Sequence, residues 1–351
     1  MTTNYLSNYL AGGRQTWAHW LTNHPHTDAT NHWILTLSAA KLELGLLAHV
    51  GMALTQLGSA VRVLTQHTAV DEYAWRDNDK LTAYEQVSPV TCVQWLLAGV
   101  HDSAVHTLPT TLKAAFADQR FAHVDINIMP LSTWQRAHKL ALFDMDSTLI
   151  EQEVIVELAK RAGIGEQVNA ITEAAMRGEI DFSESFTRRV ALLDGLPAAV
   201  IDDIIAQDIT LSCGGKRLIS TLKAHGYHTV LVSGGFLPFA RHVQSQLGLD
   251  EVYANALDVQ DGKIRGEVVA PIVDGARKAQ ILQEVAARLA ISTSQVVAVG
   301  DGANDLPMLA TADIGIAYHA KPVVRAQADY AINHNGLDGV LPLLGLSVVA
   351  P

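Results

Sequence analysis

The chain has 351 residues, 49% of them apolar, and a formal net charge of −11. That apolar share supports packed cores and excludes a disordered chain, while the length allows two domains. The acidic balance excludes a general nucleic-acid binder, which would need a basic face.

The chain starts MTTNYLSNYLAGGR, with no basic segment leading into an apolar core, so it does not read as a secretory signal. The longest uncharged apolar stretch, Val87 to Val100, is too short to span a bilayer. Cys92 and Cys213 stand far apart and build neither a disulfide framework nor a zinc spacing. A cytoplasmic protein in a reducing compartment, without membrane or nucleic-acid partners, is expected.

Residues 1–31 are polar and weakly patterned, a lead-in in which His24, His26 and His32 lack the partners of a metal tract. A small α+β domain is expected over 32–130. Its strands are Trp33–Leu37, Ala60–Leu64, Val90–Leu97 and Val124–Ile128, with helices over Leu42–Leu57 and Leu112–Phe121. The order β-α-β-β-α-β fits a ferredoxin-like module. Such modules bind small ligands or dimerise, so a homodimer stays open. No catalytic constellation is visible in it. Residues 131–139 read as a linker.

From Leu140 the pattern changes to strands alternating with helices. Leu140–Phe143 is a short, continuously apolar run, as for a strand buried on both faces. A long helical insertion follows, at about 157–215, and reads as a cap. Further strands are expected at Thr229–Ser233, Gln295–Val299, Ile314–Ala317 and Tyr330–Ile332. A hairpin turns at Gln260-Asp261-Gly262-Lys263. The fold class is α/β: a doubly wound parallel sheet over 140–351 carrying a helical cap.

Four pieces fall at strand ends or helix starts, where open α/β sheets place ligands. Asp144 and Asp146 close the first strand one residue apart. Burying two such carboxylates is costly without a cation between them, although an acidic turn would look the same. Ser233-Gly234-Gly235 offers a hydroxyl and backbone N–H groups to an anion. Lys278 stands near a helix start, and Gly300-Asp301-Gly302-Ala303-Asn304-Asp305 brings further carboxylates. Taken singly, each reads as a turn or a solvated charge. Together and in this order they form a set that chance rarely supplies.

The set resembles the haloacid dehalogenase superfamily, with Asp-Met-Asp-Ser-Thr-Leu, Ser233, Lys278 and Gly-Asp-Gly-Ala-Asn-Asp matching its four motifs in turn. Within it, Asp144 through Asp338 resembles the phosphoserine phosphatases, also at Glu153, Ala-Met-Arg-Gly with Met176, Asp181-Phe182, Arg189 and Ala270-Pro271-Ile272-Val273-Asp274. The N-terminal part is more weakly similar to the ACT-like modules that precede the catalytic part in some bacterial members.

The resemblance implies hydrolysis of O-phospho-L-serine, the last step of serine synthesis. Asp144 is then the nucleophile that becomes an aspartyl-phosphate, and Asp146 the general acid and base. Lys278, Ser233, Gly234 and Asn304 hold the phosphoryl group. Mg²⁺ is held by Asp144, Asp301 and the backbone carbonyl of Asp146, with Asp305 in support. Glu153 suits the substrate ammonium and Arg189 its carboxylate, while Met176 and Phe182 close the apolar side. Phosphothreonine or another small phosphomonoester is the alternative substrate. A serine-sensing protein with a vestigial phosphatase is the alternative class.

Overall fold

A computed structural model of the chain describes residues 32–39, 50, 54, 60–68, 91–98, 108–109, 112, 123–176 and 179–346. They fall into two compact units. One is His138–Asp329; the other holds the residues up to Ala137 together with those from Tyr330 onward. The expected lead-in and most of the two expected N-terminal helices lie outside the described residues.

The first unit contains β1 (His32–Ala39), β2 (Ala60–Thr68), β3 (Thr91–Ala98) and β4 (Asp125–Pro130). All four expected strands are present. They form one sheet in the order β2-β3-β1-β4, and each neighbouring pair is antiparallel. Alternation along the strands separates two faces. Leu35, Leu37, Val93, Trp95 and Leu97 pack with Val50 and Leu54 in an apolar core. The other face carries Thr36, Ser38, Gln94, Asp125 and Asn127, and these polar side chains are buried too.

The chain from Tyr330 onward satisfies that polar face. Asn127 Nδ2 donates to the Ala331 carbonyl at 3.0 Å, and Ala331 N–H donates back to Asn127 Oδ1 at 2.9 Å. The Asp125 carboxylate accepts the backbone N–H groups of Asn333, His334 and Asn335. Gln94 Nε2 donates to Thr36 Oγ1 and to the Pro342 carbonyl, both at 2.9 Å. Buried polar groups are tolerated only with such partners.

The second unit contains β5 (Leu140–Phe143), β6 (His228–Phe236), β7 (Glu251–Asn255), β8 (Leu257–Gln260), β9 (Lys263–Val268), β10 (Val296–Gly300) and β11 (Ile314–Tyr318). Five of these make a parallel sheet in the order β11-β10-β5-β6-β7. Every residue of β5, β10 and β11 is buried, as their unbroken apolar runs require. The expected doubly wound sheet is therefore present. Among the described residues, no helix is long and apolar enough to cross a membrane.

Between β5 and β6 come α1 (Val154–Ala162), α2 (Gly165–Met176), α3 (Phe182–Ala191), α4 (Ala199–Gln207) and α5 (Gly215–Ala224). Helix α1 buries Val154, Ile155, Leu158 and Ala159 on one face. Asp181 caps α3 by accepting Glu184 N–H at 2.8 Å. Later helices are α6 (Leu237–Leu247), α7 (Gly275–Arg288) and α8 (Leu306–Thr311).

The β8–β9 hairpin turns through Asp261 at φ 51° and Gly262 at φ 73°. Two successive positive φ values give the turn whose twist suits a hairpin, and Asp-Gly is the pair that adopts it readily. The hairpin also ties down the α3–α4 connection. Gly195 N–H reaches the Ile264 carbonyl at 2.9 Å, and Ile264 N–H returns to the Leu196 carbonyl at 2.8 Å.

Candidate active site

Strand β5 delivers Asp144 at its C-terminal end. The chain then makes one wide helical turn over Met145–Leu149, closed by Ile150 N–H to the Met145 carbonyl at 3.0 Å. Inside it Asp146 is extended and Ser147 adopts φ 55°, an uncommon conformation for a side-chain-bearing residue. This break points the two carboxylates of the motif to different places. Asp144 faces β10. Asp146 Oδ1 accepts Val154 N–H at 3.1 Å, at the start of α1.

Asp144 joins a buried charge cluster. Lys278 Nζ lies 2.7 Å from Asp144 Oδ1 and 2.6 Å from Asp305 Oδ1. Lys278 comes from the first turn of α7, which is capped by Asp274 accepting Arg277 N–H at 2.8 Å. Asp305 ends the turn after β10, where its Oδ2 accepts Gly302 N–H at 2.9 Å. Asp301 receives Thr148 Oγ1 at 3.3 Å. Oxygens of Asp144, Asp301 and Asp305 lie within 4.8 Å of one another. The carboxylate of Asp146 is not in that group.

The electrostatics follow from this crowding. Burial pushes the Asp144 carboxyl well above its ordinary range, and Asp305, Asp301 and Asp146 add to it against Lys278. Burial also raises Asp301, to about 7, with Asp305 and Glu153 adding to the effect. Asp146 is raised by burial and by Glu153, against the Val154 N–H and Lys278. Burial opposes the charge on Lys278, but Asp144 and Asp305 outweigh it and hold the ammonium firmly protonated. One lysine does not balance these carboxylates. A further cation of high charge and oxygen preference fits the donor set of Asp144, Asp301 and Asp305.

Opposite Asp146 stands the loop Ser233-Gly234-Gly235 at the end of β6. Gly235 N–H donates to Ser233 Oγ at 2.8 Å. A Cβ on Gly235 would stand 2.7 Å from Asp146 Oδ2, so only glycine allows this approach. Helix α3 brings Phe182 against the loop, its ring edge 3.1 Å from where a Gly234 Cβ would be. Phe182 stacks on Phe186 with centroids 6.2 Å apart, and Phe186 reaches Phe236 at 5.7 Å.

Arg189 lies seven residues after Phe182 on α3, two turns along the same side. Burial lowers its pKa, while Glu153 and Asp146 act against that. Glu153 precedes α1 at an exposed position without capping it, and its Oε1 accepts Ser147 Oγ at 2.9 Å. Asn304 is half-buried in the turn after β10. The side chain of Met176 lies outside the described residues. Thr148, fully buried against Asp301, was not singled out from sequence. Its place two residues after Asp146 in the motif is the signal that could have found it.

A family model described as haloacid dehalogenase-like hydrolase matches residues 141–310. A phosphoserine phosphatase of Streptomyces coelicolor is 46% identical over 259 residues, covering 74% of this chain and 62% of the relative. The chain thus spans less than two thirds of that relative's length. A probable phosphoserine phosphatase of Schizosaccharomyces pombe is 48% identical, covering 67% of this chain and 82% of the relative. A solved phosphoserine phosphatase carrying a phospho-aspartyl intermediate analogue superposes with a TM-score of 0.56 at 40% identity. It covers 59% of this chain and 99% of its own.

Proposed function

The chain belongs to the haloacid dehalogenase-like hydrolase family, and from that premise we propose that it hydrolyses O-phospho-L-serine to L-serine and phosphate. The observation that carries the reading is the contact of Asp144 with Lys278 beside Asp301 and Asp305, at the end of β5. It is supported by the names of the relatives and by the likeness to the phospho-aspartyl analogue structure.

Phosphoryl transfer needs an in-line nucleophile, neutralised charge and a protonated leaving group. Asp144 attacks phosphorus and becomes the aspartyl-phosphate. Its buried lysine partner opposes the upward push of burial on the carboxyl and offsets its repulsion from the phosphate. Lys278, Ser233 Oγ, Gly234 N–H and Asn304 hold the phosphoryl oxygens. Asp146 protonates the departing serine oxygen. Burial and Glu153 raise its pKa, which favours the protonated form this step needs. It then takes a proton from the water that hydrolyses the intermediate.

Mg²⁺ is the cation we assign to Asp144, Asp301 and the carbonyl of Asp146, supported by Asp305; when bound, it neutralises charge on the phosphoryl oxygens. Glu153 takes the substrate ammonium and Arg189 its carboxylate. Phe182 shuts the apolar side of the site, a role the resemblance also assigns to Met176. The setting is cytoplasmic, in serine synthesis. The N-terminal unit keeps its reading as an ACT-like small-ligand or dimerisation module, supported by its antiparallel β2-β3-β1-β4 sheet.

The test is phosphate release from phosphoserine, phosphothreonine and phosphoglycolate, with and without chelator. Phosphoserine should give the highest kcat/KM, and chelator should abolish turnover. A preference for phosphoglycolate, or turnover indifferent to chelator, would overturn the reading.

A further inference from the structure

Strand β6 pairs with β7 in register up to Val232 opposite Tyr253, and pairing resumes at Phe236 opposite Asn255. Between these points Ser233, Gly234 and Gly235 stand against Ala254 alone. The surplus residues bow out of the ladder as a bulge, which leaves them without regular strand partners. Bulges re-aim groups toward a site, but their shape must be fixed by other contacts. Ser233 Oγ accepts Gly235 N–H, which leaves its own proton free to donate outward.

Asn255 supplies a second fixing contact. It is only 1% exposed. Its Nδ2 donates to the Gly234 carbonyl at 2.8 Å, and its Oδ1 accepts Val273 N–H at 2.8 Å. Turning the amide over would set donor against donor and acceptor against acceptor, so its orientation is forced. The two partners belong to different arms of the site. Gly234 lies in the bulge. Val273 directly precedes Asp274, the cap of the helix that carries Lys278. The Val273 carbonyl also lies 3.4 Å from the Cβ position of Gly234. One buried amide thus sets the separation between the Ser233–Gly234 loop and the start of the lysine helix.

We propose that Asn255 is a positioning residue for phosphoryl binding: it holds the Ser233–Gly234 bulge at a fixed distance from the Lys278 helix. The proposal rests on the reading that this bulge binds the phosphoryl group. It adds a residue that touches no substrate and acts through Gly234 and Val273.

The experiment compares the full chain with Asn255→Asp and Asn255→Ala. Asn255→Asp keeps an acceptor for Val273 N–H and sets an oxygen against the Gly234 carbonyl; Asn255→Ala removes both contacts. The readouts are Tm, kcat and KM for phosphoserine, and the inhibition constant of inorganic phosphate, taken well below each Tm. The expected result is a loss of phosphate affinity and of kcat/KM of roughly 10–100-fold, typical for residues that orient a site from behind. Asn255→Asp should show it even though the Val273 contact survives. A lowered Tm with an unchanged phosphate inhibition constant in the folded variants would make Asn255 merely structural and overturn the proposal. So would failure of both variants to fold. A parent chain that neither binds phosphate nor releases it from any phosphomonoester would instead remove the phosphoryl reading, and the proposal with it.

Discussion

Lys278 Nζ sits 2.7 Å from Asp144 Oδ1, with the lysine side chain wholly withdrawn from solvent. The ammonium is held charged there, against burial, by the carboxylates of Asp144 and Asp305. Lys278→Met removes that charge and leaves two carboxylates facing each other. Truncating one member of a buried ion pair costs about 3–5 kcal/mol. Losing a donor to the transferring group costs roughly 10²–10³ in kcat. Both Tm and kcat should fall, and the Tm loss should grow as pH rises, because the abandoned carboxylates can take up protons at low pH. A kcat near the parent's would remove Lys278 from the chemistry.

Asp144→Asn should behave differently. Turnover should vanish, since an amide neither attacks phosphorus nor leaves in a second step. Stability should not fall when chelator is present. Burial and neighbouring carboxylates already push the Asp144 pKa up, so its ionisation works against the fold. Calorimetry in chelator should give a Tm at or above the parent's. A large drop would show that the Lys278 contact outweighs the repulsion.

The same shifts fix the sign of the pH dependence. The folded-state pKa of Asp301 is raised to about 7 from 3.8, and Asp144 and Asp146 are raised as well. For a raised carboxylate, the folded state holds its proton more tightly than the unfolded chain does. Stability is therefore greatest below the unfolded pKa and declines as pH rises toward the folded one. In chelator, Tm should drop between about pH 4 and pH 7 from Asp301, and Asp144 and Asp146 push it in the same direction. Mg²⁺ should reverse the drop, because it favours the ionised carboxylates. Its stabilising shift should be larger at pH 7.5 than at pH 5. An equal or smaller shift at the higher pH would argue against the carboxylate cluster as its site.

On the proposed reading, Glu153 links substrate choice to proton transfer. It raises the Asp146 pKa second only to burial, and Ser147 holds its carboxylate at 2.9 Å. Glu153→Gln removes the charge without the bulk. Phosphoserine should lose more kcat/KM than phosphoglycolate, which has no ammonium to recognise. The Asp146 limb of the pH–rate profile should also move to lower pH, because one cause of its elevation is gone. Equal losses on both substrates with an unmoved profile would return Glu153 to the surface.

The parts that sequence revealed are those where chemistry and a strand end coincide. Asp144, Ser233, Lys278 and Asp301 stand out because an apolar run or a helix start precedes each. Asn255 does not stand out. Its importance depends on a bulge in β6, and nothing within the Tyr253–Asn255 stretch signals it. The turn at Ser147 was also hidden, since serine rarely adopts that backbone conformation. The buried polar face of the N-terminal sheet was the hardest to see. Asp125 and Asn127 alternate with apolar neighbours as on any half-exposed strand, and their partners lie some 200 residues later.

That polar face gives a prediction of its own. Asp125 accepts three backbone N–H groups, from Asn333, His334 and Asn335, and also Asn335 Nδ2 at 2.6 Å. Asn335 in turn donates to the Ser38 carbonyl at 3.0 Å. Each donor left buried without an acceptor costs about 1–3 kcal/mol. Asp125→Ala should therefore lower Tm sharply, whereas Asp125→Asn, which keeps one oxygen, should recover part of the loss. Removal of residues 1–130 takes away Asp125, Asn127, Gln94 and Ser38 together. The segment from Tyr330 then loses every one of these partners, and the truncated chain should be less stable and more prone to associate than the full one. Thermal unfolding and light scattering of the full chain, the two Asp125 variants and the truncated chain check this. A truncated chain as stable and as monodisperse as the full chain would show that the segment from Tyr330 needs none of those contacts.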